Sequence, residues 1–160
     1  MRILFAALIV FLFSNVASAQ LEPVTWTFEA NKVTDTEYDI VFKADIERGW
    51  SVYSQFNDPE KGPVPTSFEY ETTDVKVVGK AKEAGMKKEE MDENFGISVV
   101  KFSNRAMFTQ RVKIEGDSTS LKGKLVYMTC DESSCLPPTC LLYTSPSPRD
   151  ATLSRMPSSA

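Results

Sequence analysis

Apolar side chains at every second position dominate the middle of this sequence. Between residues 38 and 46 they alternate with Asp39, Lys43 and Asp45, and only Val41 places an apolar group on the polar face. Successive side chains of a β-strand point to opposite faces, so this period of two predicts a strand with one face buried and the other in water. The chain is therefore expected to build its core between the apolar faces of strands.

Seven further segments show the features of short strands. They are residues 24–28, 50–54, 67–71, 75–81, 97–102, 106–114 and 121–128, with turn signals rich in Gly, Pro, Asp and Ser between several of them. Eight short strands in about 110 residues, with no long helical period, predict an all-β antiparallel sandwich. Residues 82–93, rich in Lys, Glu and Met, break the pattern and are expected to form a helical turn or a solvated excursion between strands.

The first 19 residues have the pattern of an export signal. A basic start at Arg2 precedes an apolar run over residues 3–13, and Ala17-Ser18-Ala19 forms a cleavage pattern of small residues. The run is too short to span a bilayer, which takes about 20 apolar residues. An uncleaved anchor is the alternative, and no cysteine at the cleavage point offers a site for a lipid anchor. The mature chain is expected to begin near Gln20 after cleavage at Ala19.

The last 21 residues resemble translated sequencing adaptor. Residues 140–150 and 154–160 match an adaptor in one reading frame on both sides of a short index at residues 151–153. A tail rich in Ser and Pro, without apolar periodicity, is also typical of disorder. Residues 140–160 are therefore predicted to be non-native and disordered, and their removal is expected to leave the melting temperature unchanged.

Charge and composition exclude several functions for the domain predicted over residues 20–139. This stretch holds 15 basic and 21 acidic residues, a net charge of −6, which argues against nucleic acid or an anionic membrane surface as partner. Histidine is absent from the sequence. No Ser-His-Asp or Cys-His nucleophile can be assembled, and a zinc site would lack its commonest nitrogen ligand.

Two cysteines remain once the tail is set aside, and they are the strongest chemical feature. Cys130 and Cys135 enclose four residues and are followed by Leu136-Pro137-Pro138. A structural staple is the usual role of such a pair in an exported domain. A disulfide that closes so short a loop, however, stabilises the fold by only about 2 kcal/mol, whereas one that closes a loop of about 100 residues stabilises it by nearly 5 kcal/mol. The pair therefore suits a bond that opens and closes, although the staple remains an alternative.

Three segments resemble the N-terminal domain family of the thiol:disulfide interchange protein DsbD. The specific one runs from Tyr127-Met128-Thr129-Cys130 to Cys135-Leu136-Pro137-Pro138, with four residues between the cysteines where better-known members have five. The second comprises residues 49–55 and the proline loop 62–66. The third, Asp92-Glu93-Asn94-Phe95-Gly96, resembles the family's cap loop, in which an aromatic ring covers the disulfide. The resemblance covers nearly all of residues 20–139.

This resemblance implies an immunoglobulin-like sandwich that carries reducing equivalents in the periplasm without a cofactor. Electrons would come from a thioredoxin-like domain and pass to periplasmic disulfide isomerases and to thioredoxins of cytochrome c biogenesis. Cys135 matches the cysteine that forms mixed disulfides, and Cys130 would resolve them. Phe95 would be the cap, flanked by Asp92 and Glu93. The matched segments also place Tyr53 and Tyr127 near the cysteines.

Two other functions stay open at this point. The first is an exported sandwich that binds another protein, with Cys130–Cys135 as an inert staple. The second is a copper(I) site built from the soft ligands Met128, Cys130 and Cys135. What followed Thr139 in the gene also stays open. A membrane-spanning part and a thioredoxin-like domain, or neither, are the possibilities, and only such a missing part would bring the protein to a membrane.

Overall fold

A computed structural model describes residues 21–71, 74–115, 120–146 and 154–155. The predicted signal peptide at residues 1–19 lies outside the described residues. Ten strands are present in the described part, namely β1 (Val24–Lys32), β2 (Glu37–Ile46), β3 (Ser51–Tyr53), β4 (Ser67–Tyr70), β5 (Val75–Asp92), β6 (Ile97–Ile114), β7 (Ser120–Tyr127), β8 (Thr129–Cys130), β9 (Thr139–Pro146) and β10 (Ser154–Arg155). Within these residues no helix is long and apolar enough to cross a membrane.

The strands form two antiparallel sheets. The larger sheet has the order β10-β1-β2-β6-β3-β8, with β5 paired to β6, and the smaller has the order β4-β7-β9. Met107 of β6 pairs with Lys43 of β2 on one side and with Ala84 of β5 on the other. β6 therefore lies inside the larger sheet, and β5 forms one of its edges.

Aromatic rings from the two sheets meet in the core. Phe68 of the smaller sheet lies 4.4 Å from Phe42 and 5.5 Å from Phe108 between ring centroids, and both partners belong to the larger sheet. Every second side chain of β2 from Tyr38 to Ile46 is buried, so the alternation in the sequence correctly identified the inner face. The predicted all-β antiparallel sandwich is confirmed.

Residues 82–93 do not form a helical turn or an excursion between strands. They belong mainly to β5, which pairs with β6 along its whole length with two irregularities in register, and the two strands predicted at 97–102 and 106–114 are joined in β6. The prediction was wrong because β5 is an edge strand. Charged side chains suit an exposed edge, since they discourage pairing with other chains, and main-chain hydrogen bonds to β6 supply the order.

The predicted disorder of the tail is wrong for residues 140–146. β9 pairs with β7 from Thr139 to Pro146, and Leu141 and Tyr143 are buried while Leu142 between them is 63% exposed. A strand needs only such a short alternation and a free edge to join, and the edge of β7 supplies it. The domain therefore extends past residue 139. The adaptor origin of the codons concerns the gene and stays a prediction.

Candidate redox site

The two cysteines of the motif form a disulfide at the closed end of a short hairpin. Cys130 ends β8 and lies directly opposite Cys135, and their sulfur atoms are bonded. Two backbone hydrogen bonds flank the pair, from Asp131 N to Ser134 O at 2.9 Å and from Leu136 N to Thr129 O at 3.0 Å. The cysteines thus face each other at a position without main-chain hydrogen bonds between the two, where facing side chains come closest.

The spacing of four residues fits this hairpin. Asp131 and Ser134 form the last pair, which leaves Glu132 and Ser133 at the tip. With an even number of residues between them, both cysteines can stand in register across the hairpin and project to the same face. The shorter spacing therefore keeps the pairing that the resemblance implied.

The carboxylate of Asp131 organises the hairpin tip. Its Oδ1 atom accepts hydrogen bonds from the backbone amides of Ser133 and Ser134 at 2.8 and 2.7 Å, and from their hydroxyl groups at 3.0 and 3.2 Å. The amide hydrogen bonds of Ser133 and Ser134 hold the pKa of this carboxyl below its usual value. The Asp131 side chain thus adds four hydrogen bonds to the backbone bond between Asp131 and Ser134 that closes the loop.

The two sulfur-bearing residues differ in their surroundings. Cys130 is 2% exposed and belongs to a small apolar cluster with Tyr53 and Val99, whereas Cys135 is half-buried and packs against that cluster. Cys130 pairs with Ser51 of β3, and the neighbouring Thr129 donates a hydrogen bond from Oγ1 to Ser51 O at 2.9 Å. Cys130 is thus fixed to the sheet, and Cys135 is the more exposed of the two cysteines.

The predicted cap segment is the loop between β5 and β6. Asp92 shapes it, because its backbone carbonyl accepts from Gly96 N at 2.7 Å and its Oδ1 accepts from Asn94 N at 3.0 Å. Gly96 has a φ of 66°, a left-handed conformation that glycine adopts without steric cost. Phe95 is half-buried and packs against the cluster that contains Cys130, with its ring edge-on to Tyr53 at 6.3 Å.

The cap loop also touches the cysteine hairpin directly. Asn94 donates a hydrogen bond from Nδ2 to the backbone carbonyl of Asp131 at 3.2 Å. The structure therefore brings together two segments that lie 37 positions apart in the sequence. Sequence reasoning placed Phe95 over the disulfide and overlooked the polar contact of Asn94.

A buried polar pair lies beneath the cap. Tyr53 donates a hydrogen bond from its hydroxyl to Asp92 Oδ2 at 2.8 Å, and both residues are at most 1% exposed. Burial, together with the hydrogen bond to Asp92, raises the pKa of the Tyr53 hydroxyl well above its usual value. Lys101 approaches Asp92 Oδ2 at 3.6 Å and so supplies the nearby positive charge that a buried carboxylate needs. Lys101 carried no sequence signal, because its place depends on the pairing of β5 with β6.

The remaining predicted residues lie at different distances from this site. Glu93 is exposed on the cap loop. Tyr127 belongs to the main core, where its ring lies 5.2 Å from Trp26, and not to the cluster around Cys130. Residues three positions apart in an extended segment face opposite ways, which explains why Tyr127 and Cys130 diverge.

The alternative copper site is partly assembled. Met128 packs against the cluster that contains Cys130, as does Cys135. In the disulfide both cysteine sulfurs are bonded to each other, so neither offers a thiolate to a metal. The described residues contain no group of three or more His, Cys, Asp or Glu side chains that could hold a metal ion.

Comparison with known proteins identifies the same family as the cysteine motif. Residues 18–145 match the family described as "Thiol:disulfide interchange protein DsbD, N-terminal". A search of curated proteins gives no match.

Two solved structures resemble the fold. One is the N-terminal domain of DsbD from Neisseria meningitidis in the reduced form, with a TM-score of 0.55 at 19% identity, and the match covers 83% of this chain and 91% of that one. The other is the N-terminal periplasmic domain of ScsB from Proteus mirabilis, with a TM-score of 0.61 at 18% identity, and the match covers 84% of this chain and 52% of that one. The sandwich is therefore immunoglobulin-like. The match over residues 18–145 shows that this chain belongs to the DsbD N-terminal domain family.

Proposed function

We propose that this protein is an exported thiol-disulfide interchange domain, in which Cys130 and Cys135 cycle between a disulfide and two thiols. The observation that carries the proposal is the asymmetric disulfide near the tip of a hairpin, with Cys130 buried and Cys135 half-buried. Membership of the DsbD N-terminal domain family supports thiol-disulfide chemistry in general. A staple would gain nothing from leaving one sulfur-bearing residue within reach of a partner.

In the reducing direction, a partner thiolate attacks Sγ of Cys135. The bond between Cys130 and Cys135 breaks, its electron pair leaves on the sulfur of Cys130, and that sulfur takes up a proton, while a disulfide forms between the partner and Cys135. The second thiolate of the partner then attacks the partner's sulfur in this mixed disulfide and releases Cys135, which is protonated in turn. The partner dithiol is oxidised to a disulfide, and the domain gains two electrons and two protons.

In the delivering direction, Cys135 and Cys130 take successive roles. The thiolate of Cys135 attacks the disulfide of an oxidised acceptor, and Cys130 then attacks Sγ of Cys135 and releases the reduced acceptor. The order follows from exposure, because the 2% exposed Cys130 is out of reach of a second protein but stands beside Cys135. No cofactor takes part in either direction.

Around the pair, Phe95 serves as the cap that limits access to the disulfide. Asp92, hydrogen-bonded to Tyr53, fixes the base of the cap loop, and Glu93 faces water beside it. Tyr127 supports the strand that leads to Cys130 from the core side. Of these residues, only Cys130 and Cys135 form and break bonds in the reaction.

The partners are thioredoxin-like domains, and the compartment is the periplasm. The pattern of an export signal at residues 1–19 supports the location, as does the periplasmic ScsB domain that the fold resembles. One thioredoxin-like domain supplies electrons, and periplasmic isomerases or the thioredoxins of cytochrome c biogenesis receive them. A membrane-spanning part after this domain would connect it to a cytoplasmic source of electrons.

The test combines a redox titration with trapping of mixed disulfides. Cys130→Ser should trap a mixed disulfide with a thioredoxin-like protein through Cys135, and Cys135→Ser should trap much less. The wild-type disulfide should equilibrate at a potential above about −300 mV, the range of exchanging rather than structural disulfides. A potential below that range with no trapping by either variant would identify the bond as a structural staple in a protein-binding module. Equal trapping by both variants would show that the roles assigned to Cys130 and Cys135 are wrong.

A further inference from the structure

The carboxylate of Asp131 lies between the cysteines and accepts four hydrogen bonds from the two residues that precede Cys135. An Asp that accepts from amides two and three positions ahead forms an Asx-turn, which imitates a backbone turn and closes the chain on itself. A single side chain therefore binds both residues that precede Cys135.

The same residue makes two backbone contacts that do not involve its carboxylate. Asp131 N donates to Ser134 O at 2.9 Å, and Asp131 O accepts from Asn94 Nδ2 at 3.2 Å. A substitution at this position that changes only the side chain leaves both contacts possible. The effect of the carboxylate can thus be separated from that of the hairpin backbone and the cap loop.

We propose that Asp131 is a positioning residue for the exchange reaction, which holds Cys135 opposite Cys130 and so raises the effective concentration of one sulfur at the other. This inference rests on the proposed function for its biological meaning. Closing a disulfide is an intramolecular reaction whose equilibrium improves when the two groups are already held together. A loop fixed by Asp131 favours the disulfide over the dithiol and makes the domain a stronger reductant.

Substitution of Asp131 by Ala should move the equilibrium toward the dithiol. With dithiothreitol as the probe, the equilibrium constant for reduction of the Cys130–Cys135 bond should rise about three- to tenfold. For a two-electron couple tenfold corresponds to about 30 mV toward a more oxidising potential. Asp131→Asn keeps an oxygen in the accepting position and is well suited to an Asx-turn, so its constant should stay within about twofold of the wild type.

Charge is the competing explanation, and Glu132 provides the matched control. Glu132 is exposed at the hairpin tip and, in the described part of the chain, makes no hydrogen bond like those of Asp131. Glu132→Ala removes one negative charge from the same loop and should leave the equilibrium constant within about twofold of the wild type. Equal shifts in Asp131→Ala, Asp131→Asn and Glu132→Ala would overturn the proposal in favour of charge.

A merely structural role would also be visible. If Asp131 acts on the reaction, Asp131→Ala should lower the free energy of unfolding more in the disulfide form than in the dithiol form. The difference between these two losses of stability equals the free-energy change in the redox equilibrium of the folded protein. Equal losses in both forms with an unchanged equilibrium constant would overturn the proposal. The dithiothreitol titration measures the redox equilibrium without any protein partner. Failure to exchange with thioredoxin-like proteins would therefore contradict the proposed function without changing the measured effect of Asp131→Ala on that equilibrium.

Discussion

The hydroxyl of Tyr53 donates a 2.8 Å hydrogen bond to Oδ2 of Asp92 beneath the cap loop. The bond joins β3, whose Ser51 pairs with Cys130, to Asp92, the last residue of β5 before the loop that carries Phe95. Because both partners are buried, neither group can turn to water if the other is removed. A buried polar contact thus joins the strand beside the disulfide to the strand that leads into the loop with Phe95.

Tyr53→Phe tests this coupling. The variant should lose about 1–3 kcal/mol of stability in urea denaturation, because a buried carboxylate oxygen loses its hydroxyl donor. Tyr38→Phe is the control, since Tyr38 is also buried, at 4% exposure, but lies in β2 within the main core. Equal and small losses in both variants would contradict a special role for the Tyr53–Asp92 bond.

The buried side chain of Tyr143 allows a test of whether β9 belongs to the folded domain. Tyr143 is 1% exposed, and its hydroxyl lies so close to Gly123 of β7 that a Cβ atom there would collide with it. Tyr143→Ala should therefore cost about 3 kcal/mol or more, as for other large aromatic core residues. Leu142→Ala, at a 63% exposed neighbour, should change stability by less than about 0.5 kcal/mol.

Removal of residues 140–160 should lower the melting temperature, in contrast to the expectation from sequence. Truncation takes Leu141 and Tyr143 out of the core and uncovers the edge of β7. An unchanged melting temperature, together with a harmless Tyr143→Ala, would mean that residues 140–146 add nothing to the domain. Codons for residues 140–150 that differ from the adaptor would show independently that the segment is native.

Strands were predicted correctly where the sequence pattern that defines them lies within the strand itself. Alternation over a half-buried strand is local, so β2 and the core position of Phe42 could be read directly from the sequence. Residues 82–92 of β5 could not, because an edge strand with both faces largely in water has no apolar period and is defined by its partner β6. In β9 the alternation covers only Leu141 to Tyr143 and was hidden by the Ser and Pro residues that follow.

Within the site, the sequence identified groups whose chemistry is rare and missed groups whose chemistry is common. Cys130 and Cys135 stand out in any exported chain, and Phe95 was found through the resemblance. Asn94 and Lys101 are ordinary surface residue types, and their contacts with Asp131 and Asp92 depend on how two distant segments meet. Such contacts require the fold before they can be seen.

Acid should weaken the ion pair between Asp39 of β2 and Arg111 of β6. Arg111 donates to Asp39 from Nε to Oδ1 at 2.5 Å and from Nη2 to Oδ2 at 2.9 Å, and these hydrogen bonds hold the pKa of Asp39 below its usual value. A lowered folded pKa contributes stability that is complete above the unfolded value of about 4 and is lost as the pH falls through the folded pKa.

Asp39→Asn should therefore be less stable than the wild type near neutral pH and should approach it in acid. The difference should stay below about 1 kcal/mol because both side chains are partly exposed. Urea midpoints at about pH 7 and about pH 2.5 measure it. Asp45→Asn, at an exposed pair with Arg105, is the control. A difference between wild type and Asp39→Asn that is the same at both pH values would contradict the assignment.

Phe95 is expected to shield the disulfide. Its ring packs against the cluster that contains Cys130, and the loop around it is fixed by Asp92 and tied to the hairpin by Asn94. Exchange requires a thiolate to approach a sulfur nearly in line with the bond, so a ring beside the bridge limits small thiols by access alone. A protein partner that binds next to the loop could displace it as a substrate displaces a lid.

Phe95→Ala should speed reduction by glutathione severalfold while the stability falls little, because a half-buried ring on a loop loses less apolar contact than a core ring. Phe56→Ala, at a loop ring that is 60% exposed and outside the cluster around Cys130, should leave the glutathione rate unchanged. If Phe95 were instead an ordinary core residue, its removal would cost about 3 kcal/mol or more. A destabilised variant whose folded fraction reacts with glutathione at the wild-type rate would end the cap hypothesis, whereas faster reaction at nearly constant stability would place control of access in this one side chain.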